Sequence, residues 1–270
     1  MAKFQLNEEV TLHYEDQGDG TPILFLHGVW MSSRFFHKQQ HFFSKSFRTI
    51  TVDFRGHGKS TKVHYGHTIS MYAEDLHQLI NHLNLKDIIL AGWSMGAFVL
   101  WEYLKKYGQE NIKGIVIVDE LASDFKWEDF QIGAFDFPTL IHFMQQIQTN
   151  RREFAADFIP LMFKEPISEE DAIWMNEQVN LPPESVASAI LFDQSIVDYR
   201  DFLSTIRIPS LLCFGREEKL IPVAAGEHLK KEIPQSQLVI FENSCHCPFL
   251  EESDLFNTTV EAFIHSVLPR

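Results

Sequence analysis

Three residue types that together perform acyl transfer occur in a telling order along the chain: a serine between two glycines, then a loop carboxylate, then a histidine near the C-terminus. Gly92-Trp93-Ser94-Met95-Gly96 sits between the apolar run Ile88–Ala91 and a helical pattern, so the pentapeptide falls on a strand-to-helix turn. A turn that sharp holds its serine in strained backbone geometry, and side chains at positions 92 and 96 would strike neighbouring elements. It presents the Ser94 hydroxyl at the carboxyl end of a strand, above a helix N-terminus whose dipole favours a developing anion. A Gly/Ser turn with no chemistry is the competing explanation of such a short pattern, and the strand–turn–helix setting weighs against it. Ser94 is the expected nucleophile.

A serine nucleophile needs a base, and the base needs an acid to orient it. His246, within Asn243-Ser244-Cys245-His246-Cys247-Pro248, follows the last strand-like run and precedes the final helix. Most of the other twelve histidines lie in helical stretches or polar turns, where solvated or capping roles are the default. The acid has several candidates. Glu217 and Glu218 lie on the loop after the run Leu211–Phe214, and Asp119 and Glu120 end the run before it. Each can equally be a solvated loop carboxylate, the usual fate of Asp and Glu.

These residues demand a scaffold that gathers strand ends. Short apolar runs recur at Pro22–His27, Arg48–Asp53, Asp87–Trp93, Lys113–Asp119, Pro209–Gly215 and Gln237–Glu242. They mostly lack alternation, as strands covered on both faces do. Helical stripes at Ser70–Leu83, Met95–Tyr107 and Leu255–Val267 alternate with them, which predicts an α/β sheet flanked by helices. Phe4–Leu6 and Leu12–Tyr14 predict an antiparallel edge. The alternation breaks between Leu121 and Thr205, where only helical segments are expected, around Pro138–Gln148, Glu153–Phe163, Glu169–Gln178 and Pro183–Leu203. Ten of the 24 phenylalanines fall between Phe125 and Phe202. Residues 1–120 and 206–270 are therefore read as one core, and 121–205 as a helical cap inserted after the sixth strand.

In this order, Ser94, Glu218 and His246 resemble the α/β-hydrolase superfamily. So do His27-Gly28 after the third strand and Asp53-Phe54-Arg55-Gly56-His57-Gly58-Lys59-Ser60 after the fourth. Gly215 to Pro222, and Pro248 with Glu251 behind His246, complete the pattern. The chain looks like a capped serine hydrolase of the branch holding cofactor-free haloperoxidases, aryl esterases and acyl-homoserine lactonases. The resemblance implies a mostly parallel eight-stranded sheet, no cofactor and no metal. It also implies an oxyanion hole built from the backbone N–H groups of Val29 and Met95. His27 is implied to be a structural hydrogen-bonder, and the Arg55–Lys59 stretch a structural turn. Two positions depart from the family pattern: Glu218 stands where an aspartate is usual, which keeps Asp119 and Glu120 open as alternative acids, and Ala97 stands where many relatives carry a second glycine. Trp30, Trp93 and aromatic side chains of the insertion are expected to line an apolar acyl or alcohol pocket.

The formal charge of −14 over 270 residues lacks the Lys/Arg footprint that nucleic acid or an anionic membrane surface demands. Met1–Val10 has no basic stretch followed by an apolar run, and no segment approaches the ~18 apolar residues of a membrane helix. Three cysteines form no disulfide framework, and Cys245 and Cys247 around one histidine lack the second ligand pair of a zinc site. A cytoplasmic protein with reduced thiols, monomeric or homodimeric, is expected. The leading function is hydrolysis of a carboxylic ester or lactone of an apolar small molecule through an acyl-enzyme. The alternatives are perhydrolase (haloperoxidase-type) activity at the same site, or a ligand-binding receptor of this fold with little turnover.

Overall fold

Apolar runs without alternation become strands whose two faces are both covered. The computed structural model, which describes residues 2–268, arranges eight of them in one sheet. They are β1 (Ala2–Gln5), β2 (Thr11–Gln17), β3 (Pro22–Leu26), β4 (Arg48–Val52), β5 (Ile88–Trp93), β6 (Ile112–Val118), β7 (Ser210–Gly215) and β8 (Ser236–Phe241). The spatial order is β1-β2-β4-β3-β5-β6-β7-β8; β2 pairs antiparallel with β1 and β4, and the remaining neighbours are parallel. Every residue of β3, β5 and β7 is buried, as their uninterrupted apolar sequences require.

The helices are α1 (His37–Phe43), α2 (Ile69–His82), α3 (Met95–Tyr107), α4 (Phe137–Thr149), α5 (Arg151–Phe158), α6 (Glu169–Val179), α7 (Glu184–Ile196), α8 (Arg200–Leu203), α9 (Val223–Glu232), α10 (Pro248–Glu251) and α11 (Ser253–Val267). α1 and α11 pack on each other and reach β4 and β6. α2 packs on α3, which lies against β3 and β5, and α9 covers β7 and β8. No helix among the described residues is long and apolar enough to cross a membrane. The three cysteines are free and buried.

Between β6 and β7 the chain forms α4 to α8, and there the local boundaries differ from those expected. The span Pro183–Leu203 is two helices. Val197 is extended, and Asp198 accepts the backbone N–H of Arg200 at 3.0 Å and its guanidinium, a side-chain alternative to the helical ladder. The span Glu153–Phe163 ends as a helix at Phe158 and continues as a 3-10 turn, Ile159–Met162, because Pro160 has no N–H for the helical ladder. Isolated bridges, Phe125 to Phe135 and Trp127 to Phe130, precede α4 where no extended pairing was expected. Asp136 then caps α4 by accepting the N–H of Thr139 at 2.9 Å.

The topology fixes where chemistry can occur. β3, β5, β6, β7 and β8 are consecutive parallel neighbours, so the loops leaving their carboxyl ends lie side by side. Those loops carry His27–Trp30, Ser94, Asp119–Glu120, Glu218 and His246.

Candidate active site

Ser94 follows the last residue of β5 and adopts φ 51°, ψ −128°, a left-handed conformation that costs a non-glycine residue roughly 1–3 kcal/mol. Its neighbours make that turn possible. A Cβ on Gly96 would lie 2.2 Å from the Leu26 carbonyl oxygen, and one on Gly92 2.6 Å from that of Gly96. The turn is pinned by Ser94 N–H donating to Val118 at 3.0 Å and by Ala97 N–H donating to Ser94 at 2.7 Å. Although Ser94 precedes α3, its side chain makes no capping bond, which leaves the hydroxyl uncommitted.

Gly28 brings the β3 loop against Ser94: a Cβ there would lie 3.3 Å from the Ser94 Cβ. Val29 and Ser94 border one cavity, and Trp30 is held in a left-handed turn, φ 64°. His27 anchors this loop from below, donating from Nδ1 to Gly28 at 2.8 Å and accepting the Phe54 N–H at Nε2, 3.2 Å away. Burial, partly offset by the Asp53 charge, pushes its imidazole down to about 4, so it is a neutral structural group. Asp53 ties the same loop down by accepting the Ser33 and Lys59 N–H groups at 2.7 Å each. The Asp53–Ser60 stretch, with the Arg55–Asp75 ion pair at 2.5 Å, is thus a bracing turn.

His246 donates from Nδ1 to Glu218 Oε2 at 2.8 Å, and neither side chain is appreciably exposed. That bond places the proton on Nδ1 and leaves Nε2 as the basic lone pair. Glu218 Oε1 accepts the N–H groups of Leu220 and Ile221 at 2.7 and 3.2 Å, which fixes the carboxylate. Of the four sequence candidates, Glu218 is the one in contact with the histidine. Glu217 is exposed. Asp119 stands beside the pair, with one oxygen within 4.8 Å of both partners, but its carboxylate accepts the Gly215 N–H at 3.1 Å. Burial first, and the Glu218 charge second, raise Asp119 well above the usual carboxylate range. Glu120 turns into the cavity wall.

The histidine loop is held by Glu251 of the sequence pattern and by partners outside it. Glu251 accepts the Cys245 N–H at 2.8 Å, Glu252 accepts Asn243 N–H and Ser244 Oγ, and His246 N–H donates to Met162 at 3.0 Å. Trp93 was expected to line the pocket; it does not border the cavity. It is buried beside Phe35 and Phe249, and its indole N–H donates to the His246 carbonyl at 2.9 Å, a cross-tie between the residue before Ser94 and His246. Large aromatic size made the two tryptophans look alike in sequence; the β-strand alternation that turns Trp93 away from Ser94 separates them.

Ser94 and His246 open into a cavity of about 200 Å³. Trp30, Phe135, Phe143 and Phe158 form much of its apolar wall, with Trp30 edge-on to Phe158 at 5.6 Å and Phe143 edge-on to Phe154 at 5.1 Å. Other phenylalanines of the insertion face outward, Phe137 at 61% exposure among them. Glu120, Asp124 and Gln194 add a polar wall that no motif announces.

The family model for the α/β hydrolase fold matches residues 21–147. The chain is 30% identical over 263 residues to the AB hydrolase superfamily protein YisY of Bacillus subtilis (strain 168), covering 96% of this chain and 97% of that protein. A bromoperoxidase from Bacillus anthracis superposes with a TM-score of 0.94 at 26% identity, over 98% of this chain and 99% of the other. An esterase from Rhodococcus sp. ECU1013 gives 0.85 at 26% identity over 96% of both.

Proposed function

The chain belongs to the α/β-hydrolase superfamily, and from that premise we propose that it is a serine hydrolase cleaving a carboxylic ester or lactone through an acyl-enzyme. The observation that carries the proposal is the 2.8 Å bond from His246 Nδ1 to the buried Glu218 carboxylate, set beside a strained serine that opens into the same cavity. In this mechanism Ser94 Oγ attacks the carbonyl while His246 Nε2 takes its proton. Glu218 supports the imidazolium. The backbone N–H groups of Val29 and Met95 receive the oxyanion, a contribution worth roughly 3–4 kcal/mol per donor in other hydrolases. His246 then returns the proton to the leaving alcohol, and water releases the acid by the same steps in reverse order.

Residues 121–205 act as the cap, contributing Phe135, Phe143, Phe158, Leu191 and Gln194 to the substrate wall. A cavity of about 200 Å³ lies below the ~300–1,000 Å³ of sites for drug-sized ligands, which favours short substrates. The superposition on a bromoperoxidase supports peroxide as an alternative acyl acceptor at the same serine. A fluorophosphonate probe should label Ser94, and Ser94→Ala should abolish turnover of short p-nitrophenyl esters. Unchanged turnover in that variant, or labelling elsewhere, would overturn the proposal.

A further inference from the structure

Glu120, Asp124 and Gln194 make one face of the cavity rich in acceptors and short of donors. All three border the cavity and are almost fully buried, at 0%, 2% and 4% exposure. Gln194 Nε2 donates to Asp124 Oδ2 at 2.7 Å, and Leu121 N–H donates to Glu120 Oε1 at 2.7 Å. The Glu120 and Asp124 carboxyl groups are close enough to act on each other's titration. Two carboxyls crowded into one buried wall disfavour ionising together. Burial is the main reason both are raised, Glu120 well above the usual range and Asp124 to about 6.

At this wall the donors run out. Each carboxylate oxygen can accept two bonds and an amide oxygen two more. Gln194 Oε1 and Glu120 Oε2 have no hydrogen-bond partner among the described residues. Buried acceptors left this way are costly, on the order of 1–3 kcal/mol each, and folded proteins rarely keep them without a use. The bland explanation is a polar tie between the insertion and the core, since Asp124 follows β6 and Gln194 lies on α7. A tie alone is satisfied by the Gln194–Asp124 bond and does not account for an amide oxygen without a donor beside a ligand cavity.

We propose that this wall is a specificity site for a hydrogen-bond-donating substituent of the substrate, a hydroxyl or an ammonium group, received by Gln194 Oε1 and the Asp124 carboxylate. The inference rests on Ser94 and His246 being the reacting pair, and it replaces a uniformly apolar substrate with one that is apolar against Trp30, Phe143 and Phe158 and polar against Gln194.

The test uses p-nitrophenyl esters of short acids carrying a hydroxyl, ammonium, methoxy or methyl group on carbon 2, 3 or 5. At one position, wild-type kcat/KM for the hydroxyl or ammonium ester should exceed that of the methyl isostere and the methoxy ester by at least 10-fold. In Gln194→Leu and Asp124→Asn that ratio should fall to near one, with fluorophosphonate labelling of Ser94 reporting that each variant is folded. A preference for ammonium over hydroxyl would assign the leading role to the Asp124 charge, and the reverse preference would assign it to the Gln194 oxygen. Wild-type enzyme that hydrolyses the methyl series as well as the donor series would overturn this inference alone, as would a Gln194→Leu variant that keeps the full preference. Failure to hydrolyse any member, with Ser94 unlabelled, would instead overturn the hydrolase proposal beneath it.

Discussion

Replacing Glu218 by glutamine changes one oxygen into an NH2 group, and the surrounding donors decide which way that amide turns. Glu218 Oε1 accepts from Leu220 and Ile221 N–H, whereas Oε2 accepts from His246 Nδ1. If the amide nitrogen faced Leu220 and Ile221, three buried donors would confront one another, at about 1–3 kcal/mol per group left unpaired. If it faces His246, both backbone bonds survive and only the histidine must adapt. The second orientation wins, and it forces His246 into the tautomer protonated on Nε2, which cannot take the proton from Ser94. The same carboxylate-to-amide change in a serine protease lowers kcat about 10⁴-fold, close to 5.5 kcal/mol of transition-state stabilisation. Glu218→Gln should therefore lose about 10⁴ in kcat on p-nitrophenyl acetate with little change in KM, while circular dichroism and thermal midpoint stay near wild type. The neighbouring Asp119 sharpens the test, because it lies within 4.8 Å yet burial pushes its carboxyl up, away from the charged form. A Glu218→Gln enzyme retaining more than a tenth of wild-type kcat would refute this assignment and transfer the acid role to Asp119.

Other consequences can be measured alongside. A Cβ at Gly96 would sit 2.2 Å from a backbone oxygen of β3, so Gly96→Ala should cost at least about 3 kcal/mol, a fall of roughly 6–12 °C in Tm by calorimetry. The buried Arg55–Asp75 pair predicts that Asp75→Asn loses about 3–5 kcal/mol in urea titration, and that Arg55→Met with Asp75→Leu together lose less than that single change. His27 is lowered from 6.5 to about 4 by burial, so the unfolded chain binds a proton that the folded one refuses in that interval. Stability should then fall as pH drops from 6.5 toward 4, with His27 responsible for roughly 3 kcal/mol. His57, also lowered well below its usual value by burial, adds a slope of the same sign, and His27→Gln should show a shallower one in urea melts across that range.

Ser94, His246 and Glu218 stand out as candidates in the sequence because each is marked by local grammar. Glycines bracket the serine, the histidine follows the last apolar run, and a carboxylate follows the run before it. Unbroken apolar runs likewise specify strands covered on both sides, since alternation has no purpose where both faces are buried. What the chain order cannot express is adjacency among residues far apart in sequence. Choosing Glu218 over Asp119 depended on which carboxylate reaches the imidazole and which is occupied by Gly215, a matter of a few ångströms between two loops. Trp30 and Trp93 are equally aromatic in sequence, yet one borders the cavity and the other ties His246 to the Ser94 turn, because the pleat of β5 points it away. The breaks at Val197 and Pro160 are single-residue events inside otherwise helical patterns. The polar wall is the extreme case. Glu120 and Asp124 sit 70 or more residues before Gln194, and their unmet acceptors exist only once the sheet and the inserted helices close on each other. Sequence thus determined the fold family and singled out the candidate site residues, through local motifs with local physical causes. Tertiary structure decided which carboxylate meets His246 and shaped the cavity, because burial and donor–acceptor balance are properties of surroundings rather than of residues.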